Sequence, residues 1–166
     1  MMQKQSSSFL VAFSFGALLM VGCSQPSHAA DPVPALDAAG HHLAVRSAGQ
    51  LDHMIEMDGQ PLLHDTDDET VGLLGPYTGQ GHSYVLLAKS AGGNACEMQF
   101  QAIDLTTSPA RLSPVFGDCS PDVQVKIKGG VLHATTGGYT GRPGVGSPKI
   151  KGETVIFGDG KFTPAR

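Results

Sequence analysis

Two histidines of this 166-residue chain are spaced so that a tight turn between them would bring them side by side. Asp58-Gly59 is among the strongest two-residue hairpin signals, and a turn there predicts that His53 faces His64. Asp65 follows directly. Imidazole and carboxylate groups are ligands for Zn²⁺ or Cu²⁺. The pattern indicates a candidate metal site at His53, His64 and Asp65; the alternative interpretation is two half-buried strand residues followed by a polar loop.

Cys119 is the other residue whose type suggests chemistry. It lies in the segment Phe116-Gly117-Asp118-Cys119-Ser120, where a free thiol would be a candidate nucleophile. A reactive thiol needs a base or a positive charge beside it, but the charged neighbours of Cys119 are Asp118 and Asp122. We therefore expect a structural disulfide between Cys96 and Cys119, and no catalytic cysteine.

A hydrolase is the lowest-ranked function class. Serine, histidine and aspartate are all present, but no Gly-x-Ser-x-Gly segment or comparable local motif occurs. Catalytic triads are assembled in space, so this class stays as an alternative without assigned catalytic residues.

A candidate binding segment is the Gly/Pro-rich stretch 137–148, which contains Tyr139 and Arg142. Tyrosine and arginine are common anchors of protein interfaces. We expect an exposed binding loop here, and the alternative is an ordinary long connection.

The elements that must position these residues are predicted to be β-strands, and the clearest is a hairpin centred on the turn formers 106–109. If Cys96 faces Cys119, the same register predicts these further facing pairs: Met98 with Gly117, Phe100 with Val115, Ile103 with Leu112, and Leu105 with Ala110. Ile103 and Leu105 fall on the face opposite to Phe100. We therefore expect either a bulge near Ala102 or a hairpin tip that is covered on both sides.

A second hairpin is predicted around Gly129-Gly130, with Ile127 facing Leu132 and Val125 facing Ala134. The continuous apolar run 84–88 predicts a central strand covered on both faces. Residues 70–74 are expected to form a short strand that ends at Gly75-Pro76. Turn signals recur through the chain, which has 22 glycines and 11 prolines, and no long stretch has helical periodicity. The pattern predicts an all-β class: a single small antiparallel sandwich or barrel with one disulfide-stapled hairpin.

Charge is unevenly distributed. The chain has 15 acidic and 11 basic residues, a net charge of −4, and residues 31–69 hold nine of the acids with Arg46 as their only base. No basic cluster is present, so we do not expect nucleic acid as a partner. The segment 65–69 lacks the glycine and terminal glutamate of a calcium loop, and we expect an acidic surface loop there.

The beginning of the chain indicates export. Lys4 precedes an apolar run over residues 9–21, which is too short to span a membrane. Met20-Val21-Gly22-Cys23 resembles a bacterial lipobox, and the resemblance implies cleavage before Cys23 and acylation of that cysteine. Cleavage after Ser27-His28-Ala29 is the alternative.

The expected organisation follows from that signal. We predict a signal peptide over 1–22, a flexible linker over 23–40 and an all-β domain over 41–166. The expected location is the periplasmic side of the outer membrane through a lipid anchor, or a soluble periplasmic or secreted form if cleavage occurs near Ala29. Both routes lead to an oxidising space, which favours the disulfide.

The segments Gly92-Gly93-Asn94-Ala95-Cys96 and Phe116-Gly117-Asp118-Cys119-Ser120 resemble a pattern in small uncharacterised secreted proteins of Gram-negative bacteria. The resemblance covers the disulfide hairpin alone. It implies an exported β domain with a Cys96–Cys119 cystine and brings no activity.

Taken together, these features predict a non-catalytic module that binds a protein or an envelope component and needs no cofactor. The alternative is a periplasmic metal-binding protein that holds Zn²⁺ or Cu²⁺ at His53 and His64. Contact with a membrane is expected only through the lipid anchor.

Overall fold

The computed structural model describes residues 32–92, 96, 98–138 and 151–165. Every regular element in these ranges is a β-strand. The strands are β1 (Ala35–Ala38), β2 (His41–Gly49), β3 (Asp52–Met57), β4 (Gln60–Asp65), β5 (Thr70–Gly79), β6 (His82–Ser90), β7 (Gln99–Asp104), β8 (Arg111–Leu112), β9 (Val123–Lys128), β10 (Val131–Thr136), β11 (Thr154–Gly158) and β12 (Lys161–Ala165). Within this part of the chain, no helix is long and apolar enough to cross a membrane.

The twelve strands form three antiparallel sheets of four strands each. β1 to β4 form the first sheet, β5 to β8 the second and β9 to β12 the third, and in each sheet the strands lie side by side in chain order. The predicted all-β class is thereby confirmed. The architecture differs from the expected single sandwich or barrel, because the strands divide into three separate meanders.

Two hydrophobic cores hold the three sheets together, and the second sheet contributes to both. One core joins the first and second sheets through residues such as Leu43, Ile55 and Leu87. The other joins the second and third sheets through Tyr84, Leu132 and others. Successive residues of a strand point to opposite faces, so a strand between two cores must be apolar on both faces. The run 84–88 of β6 meets this requirement, and its predicted position as a covered central strand is confirmed.

The hairpin of β9 and β10 has the predicted register, with Ile127 opposite Leu132 and Val125 opposite Ala134. Gly129 and Gly130 both have positive φ angles, 58° and 80°, which a two-residue turn of this kind requires. The register follows because the turn is tight and the alternation on each side is strict.

The disulfide hairpin is confirmed in part. Cys96 and Cys119 are bonded, and Ile103 lies opposite Leu112. Phe100 pairs with Phe116, however, and the predicted partner Val115 is wrong. Between these two pairs, the segment after the turn contains one residue more than the β7 segment opposite it. The extra residue lies at or next to Pro114, which has no N–H for the hydrogen bonds of the sheet. Ile103 and Phe100 belong to different cores, so the hairpin tip is covered on both sides.

Two predicted boundaries are different in the structure. β1 lies inside the range 23–40 that was predicted as a linker, where four residues pair with β2 although they lack a clear alternation. β5 continues through Gly75-Pro76 to Gly79, because a shift of register between Leu74 and Tyr77 accommodates the proline.

Candidate functional site

The strand register separates the two histidines of the predicted metal site. His53 lies opposite Asp65, and His64 lies opposite Met54, so the predicted facing pair of histidines is wrong. The register shifts between Ile55 and Glu56 because β4 carries one extra residue after Pro61. A shift of one residue sends every later side chain to the other face of the sheet.

The two imidazoles consequently have different environments. His53 is buried at 4% exposure, whereas the His64 side chain is 52% exposed. His64 Nε2 lies 2.8 Å from Asp52 Oδ1. Among the residues that the structure describes, no group of three or more His, Cys, Asp or Glu side chains is placed to hold a metal ion.

The buried His53 makes its contact with a serine that the sequence patterns did not single out. Ser47 Oγ lies 2.7 Å from His53 Nδ1, and the two residues face each other across β2 and β3. Ser47 is exposed, and His53 Nε2 is buried without a hydrogen-bond partner in the described ranges. A serine hydrolase needs a third group that orients the histidine. Among the described residues, no carboxylate forms a hydrogen bond with His53.

A buried charged cluster lies in the same region, between the first and second sheets. Lys89 of β6 forms ion pairs with Asp65 at the end of β4 and with Asp68 in the connection to β5. The Lys89 Nζ to Asp68 Oδ2 distance is 3.2 Å. All three residues are buried, so the expected acidic surface loop over 65–69 is wrong for Asp65 and Asp68.

The two carboxylates of this cluster respond differently to the same lysine. Burial raises the pKa of Asp65, but its hydrogen bond to Lys89, the charge of Lys89 and two backbone N–H donors outweigh burial, and the pKa is lowered overall. Burial also raises the pKa of Asp68, and the neighbouring Asp65 adds to it, so the pKa stays raised despite Lys89. Burial lowers the pKa of Lys89, but both carboxylates outweigh it and the pKa is raised. The fold therefore favours the charged forms of Lys89 and Asp65 and disfavours the charged form of Asp68.

A cavity of about 300 Å³ with a mixed polar and apolar lining lies at the end of the third sheet where β9 begins and β10 ends. It is lined by Pro121, Asp122, Val123, Gln124, Thr135, Thr136 and Gly137. The antiparallel register sets Gln124 opposite Thr135 and Val123 opposite Thr136, which brings both strand ends to one place. The Gly137 N–H donates to the Asp122 carbonyl at 3.0 Å and closes this end.

The disulfide hairpin supports the cavity from one side. Ser120 Oγ accepts a hydrogen bond from the Asp122 N–H at 3.2 Å, and the Ser120 N–H donates to Asp118 Oδ1 at 3.3 Å. Asp118 is buried, and its other oxygen has no hydrogen-bond partner among the described residues. Beside it, Glu153 Oε1 accepts from the Gly117 N–H at 2.6 Å. The residues on either side of Cys119 thus hold the segment that lines the cavity in place through hydrogen bonds.

The remaining candidate residues lie outside the described part of the chain. These are Cys23, the predicted lipidation site, and Tyr139 and Arg142, the predicted binding residues. The cavity residues were missed because their alternation predicts only a strand. One available signal was the polar pair Thr135-Thr136, which follows the apolar positions of β10 and directly precedes the Gly/Pro-rich stretch.

Comparison with known proteins gives no relative: no family model matches the chain, and neither a curated protein nor a solved structure is significantly similar to it.

Proposed function

We propose that this chain is a non-catalytic binding module of the cell envelope and that it binds an envelope component in the cavity of the third sheet. The observation that carries the proposal is the cavity itself, about 300 Å³ and lined by Asp122, Gln124 and two threonines. Binding sites for small molecules are concave and combine a few convergent polar groups with apolar walls. Val123 and Pro121 supply the apolar part here.

The residues that line the cavity are held in place by hydrogen bonds and by the nearby disulfide, which favours ligand binding. The lining segment is hydrogen-bonded to Ser120 next to the disulfide and to Glu153, which directly precedes β11 and whose backbone N–H donates to Thr136 Oγ1 at 3.2 Å. A site held by hydrogen bonds and a disulfide loses little conformational entropy when a ligand enters.

Nuclear magnetic resonance of the ¹⁵N-labelled protein, purified as a Gram-negative host processes it, tests this function. Soluble glycopeptide fragments of the bacterial cell wall are titrated in. We expect the backbone amide signals of residues 122–124 and 135–137 to shift, with the signals of the first sheet unchanged. If no fragment shifts the cavity signals, the proposed binding of an envelope component there is wrong.

The proposed location is the envelope, with Cys23 as the site of a lipid anchor to the periplasmic side of the outer membrane. The Cys96–Cys119 disulfide supports an oxidising compartment. An intact mass of the mature protein tests this: a chain that starts at an acylated Cys23 is expected. A chain that starts at Ala30 would replace the anchored form with a soluble one.

A further inference from the structure

We propose that the ligand of the cavity carries a primary amine and that the Asp122 carboxylate binds it. This inference rests on the proposed function and names the chemical class of the ligand. Of the described residues that line the cavity, Asp122 is the only ionisable one, and its neighbours Gln124, Thr135 and Thr136 are uncharged.

In the part of the chain that the structure describes, three carboxylates lie at or near the cavity. Asp122 lines it, the buried Asp118 lies two hydrogen bonds away through Ser120, and Glu153 borders Thr136. In the described ranges, none of these three carboxylates forms an ion pair with a lysine, arginine or histidine. Carboxylates without a cation create a negative potential in a concave site, which attracts a cationic group and repels an anionic one.

Asp118 adds an independent observation. It is 8% exposed, and its Oδ2 atom has no hydrogen-bond partner among the described residues. An unpaired buried carboxylate oxygen is costly, and a positive charge nearby reduces that cost. A cation bound at Asp122 would bring a positive charge to the segment that hydrogen bonds connect to Asp118 through Ser120.

The geometry suits a small donor group. An ammonium group has three donors and no acceptor, and the cavity supplies oxygen acceptors from the Asp122 carboxylate and the Gln124 amide. There is no side chain at Gly137, and a Cβ atom there would lie 3.2 Å from Asp122 Cβ and 3.3 Å from Ser120 Oγ. Glycine therefore leaves open the space beside the carboxylate.

Three five-carbon probes that differ only in their end groups test the ligand class: 1,5-diaminopentane, 1,5-pentanediol and glutarate. We expect the diamine to shift the amide signals of residues 122–124 and 135–137, with a dissociation constant of about 1 mM for so small a molecule. The diol is expected to bind more weakly, and glutarate is expected not to bind.

Asp122→Asn keeps the shape of the side chain and removes its charge, so it should weaken diamine binding by about fivefold or more. Asp159→Asn, on the exposed turn between β11 and β12, removes one negative charge elsewhere and should leave binding unchanged. Gly137→Ala adds a methyl group beside Asp122 and should weaken binding of every probe, whatever its charge. Amide spectra of each variant without probe show whether the fold is intact.

The outcomes separate the ligand class from the site. If cell-wall fragments shift the cavity signals but the diol binds as well as the diamine, or Asp122→Asn keeps full affinity, the amine inference is wrong and the binding function stands. If neither the fragments nor any probe shifts these signals, the proposed function fails as well.

Discussion

Lys89 Nζ lies 3.2 Å from Asp68 Oδ2, inside the interface between the first and second sheets. The same ammonium group pairs with Asp65, so one lysine of β6 serves two carboxylates of the preceding chain. Desolvating charges is expensive, and a buried cation stabilises a fold only when its carboxylate partners are present. This cluster therefore joins the first sheet to the second by charge, beside the apolar core that they share.

Lys89→Met should destabilise the protein by about 3 kcal/mol, because it leaves two buried carboxylates without their cation. The free energy of unfolding from urea titration at pH 7 measures the effect. Lys126→Met is a suitable control, since Lys126 is an exposed residue of β9 without an ion pair in the described ranges. Equal stability of the two variants would contradict a joining role for Lys89.

Asp65→Asn and Asp68→Asn should have different effects. The fold favours the charged form of Asp65, as its lowered pKa indicates, and it disfavours the charged form of Asp68, whose pKa is raised. We expect Asp65→Asn to cost about 2 kcal/mol of unfolding free energy at pH 7. Asp68→Asn should leave that free energy unchanged or increase it. A greater loss for Asp68→Asn than for Asp65→Asn would reverse this assignment.

The same two pKa shifts determine how the contributions of Asp65 and Asp68 to stability depend on pH. A lowered pKa means that Asp65 contributes stability above its ordinary value of 3.8, and that this contribution is lost as the pH falls through the lowered value. A raised pKa means that the contribution of Asp68 is present below 3.8 and is lost as the pH rises through the raised value. The unfolding free energy of Asp68→Asn relative to the unmodified protein should therefore increase from acid to neutral pH. A constant difference from pH 3 to pH 7 would contradict it.

The Tyr84 phenol should ionise only at strongly alkaline pH, and its neutral form should stabilise the fold below that pH. It is fully buried, its hydroxyl donates to the Gly130 carbonyl at 2.8 Å, and burial together with the charges of Asp104 and Asp159 raises its pKa to about 12. Its stabilising contribution is present below the ordinary value of 10.0 and is lost as the pH rises through about 12. Absorbance of tyrosinate during an alkaline titration measures this ionisation.

Tyr84→Phe should cost about 2 kcal/mol of unfolding free energy at pH 7, because the Gly130 carbonyl loses its buried donor. The cost should shrink at pH 11, where the unmodified protein carries the penalty of a phenol that ionises more readily when unfolded. A cost that is the same at both values would mean that Tyr84 titrates alike in the folded and unfolded chain.

Replacement of Cys96 and Cys119 by serine should destabilise the domain by about 3 kcal/mol, because the disulfide closes a long loop of the unfolded chain. The two cysteines are 23 positions apart. Urea unfolding with and without a reducing agent measures the effect in the unmodified protein. The double variant should show no response to the reducing agent, and a response there would assign the effect to Cys23.

Local sequence patterns were sufficient to predict several parts of the fold. The turn and the register of the β9–β10 hairpin were predicted correctly, since Gly129-Gly130 forms a tight turn and the apolar alternation on each side is unbroken. The Cys96–Cys119 bond and the doubly covered β6 were also predicted, because the number of cysteines and the apolar runs are properties of the sequence itself.

The tertiary structure alone decided the register of β4 and the partners of the buried charges. One extra residue after Pro61 turns His64 outward and brings Asp65 to the face of His53, and no composition or periodicity marks that bulge. Lys89 meets Asp65 and Asp68 across more than 20 positions of sequence. Alternation determines which residues share a face of one strand, whereas the contacts between strands and sheets determine what that face meets. The charged cluster and the packing of the three sheets against one another arise from those long-range contacts.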